Sequence, residues 1–219
     1  MSRSTLPMAA VVAVASGLLL TACGSGSGTS DKIQQSPTTA AAPTRTSATA
    51  PATQAAGPDA PSFAFPSGIT VKFDDFDSSD PTKKAVLQDA TYAADAVIEF
   101  EAKLYTKEPA NFARFWTGDR GAQFADSIIS QGKDGTVVTG AFHYYDPVVK
   151  SVGGGTMQVQ YCEDQRKAYG KDVKTGKVDV TTPSLDDFNL WTLEMAKSPS
   201  GEWHAFDHKW VEGAKQCEL

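Results

Sequence analysis

The hydrophobic and polar positions fall into distinct regimes along the chain. From Pro7 to Leu20 there is no charge and nearly every residue is apolar or small. This run is shorter than the ~20 residues needed to cross a ~30 Å hydrocarbon core and has the length of a signal-peptide core. From Gly24 to about Ser62 the chain is Gly, Ser, Thr, Ala, Pro and Gln without apolar periodicity. Such a stretch buries too little surface to offset ordering entropy. Ile69, Val71 and Phe73 then alternate with polar residues, which predicts a short strand. Val86, Ala90, Ala93, Ala94, Val97, Ile98, Glu101, Leu104 and Tyr105 recur at three- and four-residue spacing. That is the stripe of an amphipathic helix. Asp80 is its expected N-cap, Pro81 its first residue, and about Thr106 its end, before Pro109. Two shorter helices follow, one holding Phe112, Phe115 and Trp116, the other running from about Asp119 to Ser130 with Phe124, Ile128 and Ile129.

After Gly135 the period changes to two. Thr136–Tyr145 is rich in β-formers, Pro147 interrupts it, and Val148–Val152 resumes; an edge or a bulge is expected at the proline, which lacks an N–H. Gly153-Gly154-Gly155 predicts a hairpin turn. Met157, Val159 and Tyr161 alternate with Gln158, Gln160 and Cys162, the mark of a half-buried strand. A polar excursion from Glu163 to Asp187, turning at Lys174–Lys177, precedes strands at Phe188–Ala196 and Trp203–Val211. Helices followed by an antiparallel meander predict α+β, with a long helix and two short ones on one face of the sheet.

The apolar run at the N-terminus ends in Leu20-Thr21-Ala22-Cys23-Gly24, behind a small basic segment at Arg3. These residues resemble the lipobox of bacterial lipoproteins. The resemblance implies a signal peptide over 1–22, cleavage before Cys23, and diacylglycerol carried on its thiol as a thioether. Two acyl chains anchor stably where one does not. The expected site is the outer face of the cytoplasmic membrane. Residues 23–65 read as a disordered Ala/Thr/Ser/Pro-rich tether. Its first ~39 residues would span roughly 35 Å as a flexible coil, and its composition permits O-glycosylation. Residues 66–219 are long enough for one domain with its own core.

Charge narrows the partners. The net charge is −6, and loss of Arg3 with the signal makes the chain more acidic still. With no basic cluster there is no expectation of nucleic-acid binding or of adhesion to anionic lipid. The partner expected is the membrane, through the lipid on Cys23. Lipidating Cys23 leaves an even pair, Cys162 and Cys217, in a disulfide-permissive compartment. A bridge would close a loop of about 56 residues, worth roughly 4 kcal/mol in the chain-entropy picture. Two free buried thiols are the other reading.

The order of a long helix, two short helices and a curved antiparallel sheet resembles the nuclear transport factor 2-like, or ketosteroid-isomerase-like, superfamily. More narrowly it resembles secreted and lipid-anchored proteins of high-GC Gram-positive bacteria. Val159–Asp164, Thr175-Gly176-Lys177, Gly201–Phe206 and Gly213–Cys217 carry the likeness. It covers roughly residues 80 to 219. It implies a cone-shaped sheet whose interior encloses an apolar pocket or whose face makes a dimer, and a Cys after the last strand that matches the Cys-x-Asp at a strand end. The superfold hosts enzymes, binders and scaffolds, so it does not fix an activity.

No Ser elbow, phosphate loop or zinc-protease helix occurs, and no cofactor is expected. The acidic run Asp74–Asp80 lacks the central Gly and the spaced Glu of a calcium loop; helix capping accounts for it better. His204 and His208, with Phe206 and Trp210, are expected on one face of the last strand. There they would lie roughly 13 Å apart, too far to share a metal, and no metal site is expected. His143 reads as a hydrogen-bonded surface residue. Within the resemblance, Asp95, Tyr92 or Tyr145 are the candidates for acid–base work, but none is paired with a partner at a telling spacing. Met157, Val159, Tyr161, Trp191, Leu193 and Met195 are expected on the sheet face under the helix, as core or as the lining of a small apolar pocket. The sequence therefore reads as a non-enzymatic, lipid-anchored module for a small apolar ligand or a protein partner. The alternative is an isomerase- or dehydratase-like enzyme using the pocket of the cone.

Overall fold

The computed structural model describes residues 60–219; the expected signal peptide, Cys23 and the expected tether as far as residue 59 lie outside the described residues. The first helix, α1 (Pro81–Glu101), begins where the capping chemistry puts it. The Asp80 carboxylate accepts from the N–H groups of Thr82 and Lys83 at 2.8 and 2.9 Å, and Pro81 sits at the first turn, where a missing N–H costs nothing. The helix ends at Glu101, short of Thr106. Tyr105 nevertheless packs edge-on against Phe100 at 5.5 Å, so the apolar spacing persists in space beyond the last helical turn. Two further helices follow, α2 (Ala110–Phe115) and α3 (Gly118–Gln131). The Trp116 indole N–H, just past α2, donates to the Ala93 carbonyl of α1 at 2.9 Å and ties the helices together.

The strands are β1 (Ile69–Phe73), β2 (Thr136–Gly153), β3 (Thr156–Asp172), β4 (Val178–Asp179), β5 (Phe188–Lys197) and β6 (Trp203–Glu212). They form one sheet in the order β1-β2-β3-β5-β6, with β4 against β3. All pairs are antiparallel except one. β1 lies parallel to β2, with Ile69 opposite Gly140 and Phe73 opposite Tyr144. The sheet is therefore mixed, not wholly antiparallel. A parallel pair needs a long crossover, and the three helices between β1 and β2 supply it. A second difference concerns the polar excursion. Its first half, Glu163 to Asp172, continues β3, because β2 pairs with it from Tyr144↔Glu163 to Thr136↔Asp172. Ladder hydrogen bonds to a long partner hold it extended without apolar alternation.

The sheet is bent by irregularities in β2–β3 pairing between Ala141 and His143 and between Tyr145 and Val148. The second is the feature expected at Pro147, with Asp146 at φ 52°. Gly140 is needed at the first bend: its φ is 100°, and a Cβ there would lie 2.1 Å from the Lys167 carbonyl oxygen.

The two faces of the sheet carry separate cores. On the inner face Val159, Leu193 and Met195 are buried with Val86, Ala90, Ala93 and Val97 of α1. The outer face has a smaller cluster of Tyr145, Cys162, Phe188, Ala214 and Cys217. A disulfide joins Cys162 to Cys217 with the Cα atoms 5.3 Å apart. The Tyr145 hydroxyl donates to the Cys217 carbonyl. The residues just before β1 also belong to the folded part. Phe63 and Phe65 pack on the core, and the Ala64 N–H donates to the Glu99 carboxylate at 2.9 Å. Phe63, Ala64 and Phe65 thus contact the domain whose expected start is residue 66. Among the described residues no helix is long and apolar enough to cross a membrane.

Candidate functional site

Strand register decides which side chains meet on the inner face. Opposite residues in β3 and β5 are Met157 and Met195, Val159 and Leu193, Tyr161 and Trp191, then Glu163 and Asn189. All six apolar residues expected to line a pocket share this face, but they divide. Met157, Val159, Leu193 and Met195 are packed solid under α1. Tyr161 and Trp191 alone among them line a cavity of about 680 Å3. The division has a physical cause. α1 covers the first pairs and ends at Glu101, while the bent β2–β3 ladder carries the far end of the sheet away from the helix.

The cavity lies between the end of α1, α3 and the inner sheet face. Its aromatic wall includes Phe100, Trp116, Phe124, Tyr144, Tyr161 and Trp191. Two carboxyl groups stand within it, Glu101 from the last turn of α1 and Glu163 from β3. Glu163 is 1 % exposed and accepts from the Trp191 indole N–H at 2.7 Å and from the Asn189 amide at 3.3 Å. Burial and the Glu163 charge push the Glu101 carboxyl up to about 8. Burial, reinforced by Glu163, also holds the Tyr144 and Tyr161 phenols well above their usual range. The Asn189 side-chain oxygen, on a residue 5 % exposed, has no hydrogen-bond partner.

His208 completes one side of the wall. Its ring lies 4.2 Å from Phe124, 5.3 Å from Trp116 and 6.0 Å from Trp191, centroid to centroid. Burial lowers its affinity for a proton, and its Nδ1 has no partner. The expectation that His204 and His208 share a face is corrected by the register. Glu194 pairs with Asp207 but Met195 with Ala205, so Phe206 is an extra, bulged residue. The bulge reverses the alternation and puts the two histidines on opposite faces. His204 lies beside Glu202, 3.8 Å away.

The candidates named for acid–base work are elsewhere. Tyr145 faces the disulfide cluster. Tyr92 packs between Phe63 and Phe115. Asp95, pushed up to about 7 by burial and by Glu99, does not line the cavity. His143 hydrogen-bonds Asp74 at 2.7 Å. Of the acidic run, Asp74 pairs with Lys72 and Asp77 with Lys84. Among the described residues no three His, Cys, Asp or Glu side chains converge as a metal site would require. The sequence held a signal for the groups that were missed. Glu101 is the one charged member of the α1 stripe, and Glu163 continues the buried parity of Met157, Val159 and Tyr161 by one step.

No protein-family model matches the sequence, and no curated protein matches it. Among solved structures it is similar to the intermembrane space region of the chloroplast protein ARC6, at 14% identity over 62% of this chain and 97% of that one, with a TM-score of 0.38. It is also similar to a ketosteroid isomerase-like protein from Erwinia carotovora atroseptica, at 16% identity over 58% and 90% of the two chains, with a TM-score of 0.36. A putative ketosteroid isomerase from Shewanella frigidimarina matches at 11% identity over 65% and 100%, with a TM-score of 0.32. Likeness of this degree says nothing about what the chain binds.

Proposed function

We propose that the protein is a lipid-anchored extracytoplasmic binding module whose cavity holds a small organic ligand. The observation that carries the binding half is the cavity itself. Its volume of about 680 Å3 falls inside the ~300–1,000 Å3 of small-molecule sites, and aromatic walls surround a few convergent polar groups. The anchoring half rests on the order of apolar run, Leu-Thr-Ala-Cys and tether in the sequence, and is supported by a disulfide of the kind that persists outside the cytoplasm.

Two experiments test this. Cys23→Ala should abolish lipid attachment and cleavage before residue 23, leaving an unlipidated chain of full precursor mass; unchanged lipidation and processing would exclude the anchor. Native mass spectrometry of the mature protein from its own host should show an added mass that departs on denaturation. A mass equal to the bare chain, in material never stripped of ligand, would count against binding.

One observation favours a second reading, a proton-transferring enzyme of the isomerase or dehydratase kind. Burial and the Glu163 charge raise the Glu101 carboxyl to about 8, the state of a general acid that keeps its proton near neutral pH. A binder returns its ligand chemically unchanged; an enzyme of that kind would exchange ligand protons with heavy water.

A further inference from the structure

The charge lining the cavity is one-sided. Its acidic side chains are Glu101, Asp134, Glu163, Asp186, Asp187 and Glu212, against Lys103 as the one lysine or arginine; Glu101, at about 8, largely holds its proton at neutral pH, and Asp134, Asp186 and Glu212 are exposed, so the buried carboxylate is that of Glu163. None of the six is in an ion pair among the described residues. Asp134 and Asp187 also accept from backbone N–H groups of their own turns, at Thr136 and Ser184. Those bonds leave the negative charge in place. A cleft of one sign with low-dielectric walls concentrates its field on whatever enters.

A second, independent observation points the same way. One N–H of the Asn189 amide donates to Glu163, and the amide oxygen of this cavity-lining residue is buried without a donor. A buried acceptor left unmatched costs about 1–3 kcal/mol. Turning the amide over would put its oxygen against the Glu163 carboxylate, so the unmet need for a donor stays. His208 adds a further partnerless nitrogen on a ring with lowered proton affinity. The inner end of the cavity therefore holds the Glu163 carboxylate and an amide oxygen that lacks a donor. Around that set stand the faces and edges of Trp116, Trp191 and Phe124, and aromatic faces attract cations at close range.

We infer that this cavity is a receptor site for an organic cation, a ligand with an ammonium or amidinium group on an aromatic or aliphatic body. The cationic head donates to Glu163 and to the Asn189 oxygen, and the body lies among the aromatic rings. A neutral donor such as an alcohol can meet the Asn189 oxygen but brings no charge to the Glu163 carboxylate. An anion meets six carboxyl groups. This inference rests on the binding reading and narrows it to one ligand class.

The test uses three isosteric probes, phenethylamine, phenethyl alcohol and phenylacetate, titrated into the full chain in detergent at pH 7. Binding is followed by tryptophan fluorescence and by the His208 ring resonances. The amine is expected to bind at least tenfold more tightly than the alcohol, and phenylacetate more weakly than either. Glu163→Gln should bring amine and alcohol within threefold of each other while the alcohol still binds, which shows that the cavity is intact. Glu101→Gln, a second variant that leaves the Trp191 contact untouched, should keep the preference at pH 7, where the Glu101 carboxyl already largely holds its proton, and loss of the preference in that variant would overturn the assignment of the cation to Glu163. Equal affinity for amine and alcohol in the wild type, or a preference that survives Glu163→Gln, overturns the cation assignment and leaves the binding reading standing. Failure of all three probes to shift Trp or His208 signals overturns both.

Discussion

The two ends of the inner sheet face have the same strands beneath them and opposite character above. At one end Val159, Leu193 and Met195 are fully buried against the Ala-rich middle of α1. At the other, two residue pairs further along the same ladder, Tyr161, Glu163, Asn189 and Trp191 surround an empty volume. The first end contains apolar side chains in contact. The second contains a buried carboxylate, a raised carboxylic acid and an orphaned amide oxygen. The raised acid and the orphaned oxygen each cost stability. The lesson is that the packed end and the outer-face disulfide bear the stability, and the hollow end is free to carry groups a ligand would satisfy.

Substitutions that touch each region should separate these roles. The largest loss is expected from Cys162→Ser with Cys217→Ser, about 4 kcal/mol in urea unfolding, from the loop that the bridge closes. Next is Leu193→Ala at the packed end, which should cost about 3 kcal/mol, because a fully buried side chain leaves a cavity the surroundings only partly fill. At the hollow end the sign reverses. The Glu101 carboxyl has its proton affinity raised from 4.5 to about 8 in the folded state. Between those values the folded chain keeps a proton the unfolded chain has released, so stability falls as pH rises through the window. Asp95, raised to about 7, adds a fall of the same sign beginning near 3.8. Glu101→Gln should therefore stabilise the protein by on the order of 2 kcal/mol at pH 8 and by almost nothing at pH 4. A difference curve of wild type and variant isolates Glu101 from Asp95. Smallest is Tyr161→Phe, which removes only a hydroxyl from the cavity wall and should change unfolding by no more than about 0.5 kcal/mol. A loss at Tyr161 or Glu101 as large as that at Leu193 would erase the distinction between the two ends.

Local chemistry made much of this legible in the sequence. Asp80-Pro81, the three-glycine turn at Gly153–Gly155 and the alternation Met157/Val159/Tyr161 are short-range signals, and each sits where the structure needs it. What was not legible depends on partners distant in sequence. β1 alternates like any strand, and only the crossover through the helices makes its pairing parallel. Glu163–Asp172 looks like a polar loop until β2 is laid beside it. The bulge at Phe206 leaves no mark in the alternation, so His208 could not be assigned to the inner face in advance. The cavity is the same kind of case. Its carboxyl groups, Glu101 and Glu163, come from elements 62 residues apart in sequence (163 − 101), brought together by the fold.

The most direct test is a carboxyl-carbon NMR titration of Glu101 in the ligand-free protein. A desolvated acid facing a second carboxylate should titrate with a midpoint near 8, moving down toward the ordinary range when Glu163→Gln removes the neighbouring charge. A midpoint near 4.5, indifferent to Glu163, would mean that the hollow end is ordinary solvent-filled surface and that its acids are not poised to receive a ligand.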